Sequence, residues 1–170
     1  MYNKEIKAIL SLIILSFSVY LFSNGEIGYG ILVLLVMGLV VLSIFKDERI
    51  LRAFYYLRKN DMQKAEAVLQ KIKHPEKLIK SQEAYFNYLN GLVLSQTQMN
   101  KAEKFFKRAL TIGLRSDTDK AVAKLNLAGL AMSRRRKREA TALLTEVKKL
   151  DKHNMLDDQV KMMKQQMKRI

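Results

Sequence analysis

The chain has 170 residues, with 31 Lys+Arg against 16 Asp+Glu, a net charge of +15, one proline and no cysteine. The missing cysteine excludes disulfides, thiolate metal sites and cysteine nucleophiles, and the charge asks for an anionic neighbour or a tolerance of self-repulsion. Almost all of the surplus charge lies behind Lys46, so an apolar front precedes a basic, amphipathic rear.

The front holds two uncharged runs, Ala8–Gly25 (AILSLIILSFSVYLFSNG) and Ile27–Phe45 (IGYGILVLLVMGLVVLSIF). As helices at about 1.5 Å per residue each covers roughly 27–29 Å, close to the about 30 Å of a bilayer's hydrocarbon. The pattern predicts a two-helix transmembrane hairpin over 1–46, with spans at about 8–25 and 27–45 and a turn at Ser23-Asn24-Gly25-Glu26. Lys4 and Lys7 precede the first span, and Lys46, Arg49 and Arg52 follow the second. By the positive-inside rule this predicts an integral protein of a bacterial-type inner membrane, with both termini and the basic rear on the cytoplasmic side. The spans hold no ionisable residue, which favours an anchor over transport. No Gly or Pro occurs between Gly38 and Asn60, so the second span is expected to continue unbroken into the next helix.

The rear repeats itself. NDMQKAEAVLQKI (Asn60–Ile72), TQMNKAEKFFKRAL (Thr97–Leu110) and RRKREATALLTEV (Arg135–Val147) align on Ala65, Ala102 and Ala140, a period of roughly 37–38 residues. One turn after each alanine stands a large apolar residue, Leu69, Phe106 or Leu144, and upstream lies another helix carrying Ala53, Asn90 or Ala128. Asp61 and Asn100 are candidate N-caps of the second helices of the first two units, Gly113 a stop, and Ser116 or Asp117 the next start. A last helix, from about 155 to 170, shows Leu156, Val160, Met163, Met167 and Ile170 on one face and reads as the cap that a stacked array needs.

On these residues the stretch from Asp47 to Asn154 resembles the tetratricopeptide repeat (TPR) family. Small residues let the two helices of a unit touch, and large ones fill the space between units. The period departs from the family's usual length of about 34, and Gly91 falls one place late. The fold expected is therefore all-α: a two-helix transmembrane hairpin, then a TPR-like helical-hairpin solenoid of three pairs over 47–154, then a capping helix over 155–170.

The resemblance implies a partner groove on the inner face of each unit's first helix. In the first unit it would comprise Ile50, Phe54, Leu57 and Arg58. In the second it would comprise Asn87, Gly91 and Leu94, and in the third Leu125, Asn126, Gly129 and Met132. Of the cations and amides with which family members clamp a carboxylate only Asn87 matches, so a mostly apolar groove would prefer an amphipathic helix, unless the chain's own last helix fills it. A separate anion-binding loop is expected at SRRRKR, carried by Arg134, Arg135, Arg136, Lys137 and Arg138. No aromatic residue follows Phe106, so nucleic-acid binding there would be salt-sensitive and sequence-blind.

No catalytic constellation stands out. His74 and His153 fall in predicted loops, and there is no Gly-rich phosphate loop. The chain is expected not to be an enzyme and to need no cofactor or metal. The expected role is a membrane-anchored TPR-like adaptor for a protein partner. The alternatives are a membrane tether for nucleic acid or ribosomes through the basic loop, or a small accessory subunit of a larger membrane complex.

Overall fold

The computed structural model of the chain describes residues 4–45 and 47–169. Among them are nine α-helices, one short 3-10 helix and no strand. The chain divides into two compact units, Met1–Glu48 and Arg49–Ile170.

The first unit is an antiparallel hairpin of α1 (Lys4–Ser23) and α2 (Ile27–Phe45). Gly25 makes the turn at φ 79°, the left-handed conformation that glycine adopts without a Cβ penalty. The amides of Gly25 and Glu26 reach back to the carbonyls of Phe22 and Leu21, which closes the end of α1. The helices touch through small residues. The Ser18 hydroxyl donates to the Gly30 carbonyl at 3.1 Å, and a Cβ on Gly30 would come within 2.9 Å of the Phe22 ring. Among the described residues most other apolar side chains of this pair are exposed, Leu12, Ile13, Tyr20, Leu32, Leu35 and Leu39 among them.

The expectation of a membrane-spanning hairpin is corrected here. Among the described residues, no helix is long and apolar enough to cross a membrane. The integral-membrane placement and the cytoplasmic orientation argued from flanking charges fall with the spans. Lys46, one of those charges, lies outside the described residues. The unbroken helix expected beyond the second run is also corrected, because α2 ends at Phe45 and Asp47 is in no helix.

The second unit is built of antiparallel helix pairs. The helices α3 (Glu48–Arg58) and α4 (Met62–Leu69) form the first. The Arg49 guanidinium, at the start of α3, donates to the Lys71 carbonyl just past the end of α4. A 3-10 helix, Pro75–Lys77, leads to the pair α5 (Lys80–Leu94) and α6 (Met99–Ile112), then to α7 (Asp117–Ser133) and α8 (Lys137–Leu150). Arg108 near the end of α6 meets Glu83 near the start of α5 at 2.8 Å. Lys152, just past α8, meets Asp117 at the start of α7 at 3.3 Å. Ladders of this kind require each pair to run antiparallel. The last helix, α9 (Asp157–Met167), packs on α7 and α8.

Local chemistry explains the boundaries. The Asp61 carboxylate accepts from the Lys64 amide and caps α4, and the Ser116 hydroxyl accepts from the Asp119 amide and caps α7. Gly113 ends α6 at φ 105°. Asn100 is not a cap. The second unit's internal loop, 95–98, places Gln98 at the N-terminus of α6 and Asn100 inside the helix.

The core is two clusters. One gathers Ala53, Ala65, Leu69, Leu89, Phe106 and their neighbours from α3 to α7, and the other gathers Leu125, Ala128, Met132, Leu144, Val160 and theirs from α7, α8 and α9. Ala53, Ala65, Ala102, Ala128 and Ala140 are all 0% exposed. An alanine lets two helix backbones approach closely, and a larger side chain there would overpack the contact.

Candidate interaction surfaces

The residues expected to line a groove divide by depth. Ile50, Asn87, Leu94, Leu125 and Met132 are buried in the core, and Gly91 is buried beside them. Gly91 faces its own partner helix, since a Cβ there would meet the Phe106 ring of α6 at 2.7 Å. Gly129 lies under Met163 of α9, at 3.4 Å from a built Cβ to the methyl carbon. Leu125 and Met132 share their cluster with Leu156, Val160 and Met167. The last helix therefore covers the third unit's share of the face. Asn87 and Asn126 turn their amides back to the Glu83 and Val122 carbonyls one turn earlier.

What stays open belongs to α3. Phe54 is 38% exposed, and Arg58 beside it is exposed while Leu57 is half-buried. Two further apolar residues on this helix were not singled out by the repeat pattern: Leu51 is 72% exposed and Tyr55 is 53% exposed. Residues 51, 54, 55 and 58 follow a three-and-four spacing and so share one helix face. The Lys59 ammonium sits over the Tyr55 ring at 4.7 Å. The amphipathic spacing of α3 was visible in the sequence, but which face found a cover was not.

The basic run forms the turn from α7 to α8. Arg135 holds φ 57°, and the amides of Arg135 and Arg136 donate to the carbonyls of Met132 and Ala131. This is the helix-ending arrangement in which glycine usually takes the left-handed place. The five cations do not act alike. Arg134 is bound to the Glu103 carboxylate and the Asn100 side chain, and Arg136 reaches Glu103 at 3.5 Å and Glu139 at 3.3 Å. Among the described residues, Arg135, Lys137 and Arg138 have no acidic partner and are exposed.

Glu103 is the hub of this joint. Its carboxylate also accepts from Lys107 at 2.7 Å. That hydrogen bond, with the Arg134 and Arg136 charges beyond it, holds the Glu103 carboxyl below its ordinary value despite the opposing effect of burial. At the far end of the stack the Tyr85 hydroxyl of α5 donates to the Asp119 carboxylate of α7 at 2.6 Å. Burial first, and the bond to Asp119 second, push the Tyr85 hydroxyl up to about 12. Neighbouring Tyr88 is also raised, mainly by burial. The first helices of successive pairs thus meet near their starts, and the second helices meet near Glu103, Lys107 and Glu139.

Among the described residues, no group of three or more His, Cys, Asp or Glu side chains is placed to hold a metal ion. His74 lies 3.0 Å from Glu76, both well exposed. A small cleft of about 80 Å³ lies between α8 and α9, lined by Lys148, Asp151, Asn154 and Asp157 with Val147 and Val160. Its carboxylates are engaged: Asp151 accepts from the Met155 and Leu156 amides, and Asp157 pairs with Lys148 and Lys161.

Comparison with family models gives no match, and neither curated proteins nor solved structures are found to be similar to this chain.

Proposed function

We propose that this chain is a TPR-like adaptor that binds another protein, and that it acts by binding rather than catalysis. The observation that carries the reading is the open face of α3. Leu51, Phe54 and Tyr55 stand exposed on one stripe, with Arg58 and Lys59 at its end. An apolar stripe rimmed by cations suits an amphipathic helix whose flanks are acidic, with aromatic side chains as the anchors of the interface. The stacked, antiparallel helix pairs and the alanine contacts between them support the TPR-like reading.

The test is crosslinking of the full-length chain in cells, followed by purification with and without nuclease. A defined protein set that survives nuclease, and is lost when Leu51→Ala and Phe54→Ala are combined, supports the adaptor. A set unchanged by those substitutions removes α3 from the interface and overturns the reading.

A further inference from the structure

We propose that the end of the second unit formed by the α7–α8 turn and the residues just past α9 is a binding site for the phosphate backbone of a nucleic-acid duplex. The basic run alone does not carry this, because Arg134 and Arg136 are consumed by Glu103 and Glu139. The remaining cations are joined by others far away in sequence. Helix α9 runs antiparallel to α8: Lys148 meets Asp157 at 3.6 Å at one end, and the Thr141 hydroxyl meets the Met167 sulfur at 3.9 Å at the other. Lys168 and Arg169 directly follow Met167, and Lys137 and Arg138 lie one turn before Thr141. The packing therefore brings Lys168 and Arg169 beside Lys137 and Arg138, with Arg135 in the adjoining turn. All five side chains are exposed. Among the described residues none of them pairs with an acid, since Glu103 and Glu139 are held by Arg134, Arg136 and Lys107.

The chemistry selects the ligand. A protein partner would need an apolar or aromatic centre to bury, and none of these five residues supplies one. A single strand would need aromatic platforms for its bases, and the chain has none beyond Phe106. A duplex presents closely spaced phosphates on a regular ridge, and neutralising them releases counterions. Cations without stacking groups match that surface, with no base readout. This site is independent of the α3 face.

The test is fluorescence anisotropy with the full-length chain and a labelled mixed-sequence DNA duplex of about 20 base pairs, titrated between 50 and 200 mM salt. With about 0.9 counterion released per phosphate, the five-cation cluster predicts a log–log slope of about −4.5. Combining Arg135→Gln, Lys137→Gln and Arg138→Gln should bring the slope to about −2, and Lys168→Gln with Arg169→Gln should remove about 2 from it. Lys71→Gln, Lys73→Gln and Lys101→Gln together remove equal charge elsewhere and should leave the slope nearly unchanged. Circular dichroism confirms that each variant is folded, as expected for exposed positions. An equal loss in the remote variant would mean a diffuse field and would overturn the site. So would polyglutamate competing as well as duplex at equal charge, or no binding at 50 mM salt.

Discussion

Gly91 on α5 lies against the ring of Phe106 on α6, so close that a Cβ at position 91 would sit 2.7 Å from two ring carbons. The ring is fully buried and cannot swing into solvent. At the matching places in the other two pairs the chain has leucine, Leu69 and Leu144. The middle pair accommodates a larger side chain by removing a Cβ opposite it.

Gly91→Ala should therefore destabilise the protein by about 1–3 kcal/mol, the usual range for overpacking, although alanine suits a helix interior better than glycine by about 1 kcal/mol. Adding Phe106→Leu should recover part of the loss, which a denaturant titration of the four-variant cycle would measure. Full additivity of the two changes would show that they do not share a space.

Removing the hub charge should loosen the joint between the second and third pairs. Glu103→Gln loses charge-assisted bonds to Lys107, Arg134 and Arg136, at a cost of about 1–2 kcal/mol at neutral pH. Because the folded-state value of Glu103 is lowered, its contribution is present above the ordinary glutamate value of 4.5 and is lost as pH falls through the folded value. Stability of the variant should therefore fall less steeply than that of the parent between about pH 5 and pH 3. Thermal melts across that range would check it.

Tyr85→Phe should cost about 1–2 kcal/mol, because the hydroxyl donates to a carboxylate in a partly buried place. The alkaline side carries the opposite sign to Glu103. The Tyr85 value is raised from 10.0 to about 12, so its contribution is whole below 10.0 and is lost as pH rises towards about 12. Absorbance titration of tyrosinate should show Tyr85 and Tyr88 ionising late, and the Tyr85 step should disappear in the variant. Asp119→Asn should move the Tyr85 ionisation back towards its ordinary value.

Arg135→Gly should be neutral to stabilising by up to about 1 kcal/mol. Its left-handed φ of 57° carries a Cβ penalty that glycine lacks. Asn60, at φ 59° in the matching turn of the first pair, is already a residue tolerant of that conformation, so Asn60→Gly should gain less. Melting temperatures of the two variants would rank them.

Much of the helical order was legible in the sequence, and the reason is local. Ala65, Ala102 and Ala140 marked the close contacts, Asp61 and Ser116 could cap without help from elsewhere, and Gly113 could only end a helix. Positions decided by tertiary packing were not legible. Asn100 has the chemistry of a cap but became the acceptor for Arg134. Gly91, one place from where the repeat wanted a small residue, answered to the size of Phe106 instead. The run of five cations read as one object, whereas the acids that divide it arrive from α6 and α8. Lys168 and Arg169 joined the remainder only because α8 and α9 pack antiparallel. The apolar front read as membrane-spanning from composition, whereas among the described residues no helix is long and apolar enough to cross a membrane.

One helix belongs to both halves of the core. Ala123, Leu127 and Leu130 of α7 lie in the first cluster, while Ala121, Leu125, Ala128 and Met132 of the same helix lie in the second. Leaving its place would open both at once, whereas α3 at one end and α9 at the other each engage a single cluster. Stacked arrays behave as one-dimensional chains of neighbours, so partial unfolding should begin as fraying at the two ends and spare the middle. Amide protons of α7 should then be the slowest to exchange, and its loss should coincide with the loss of everything else.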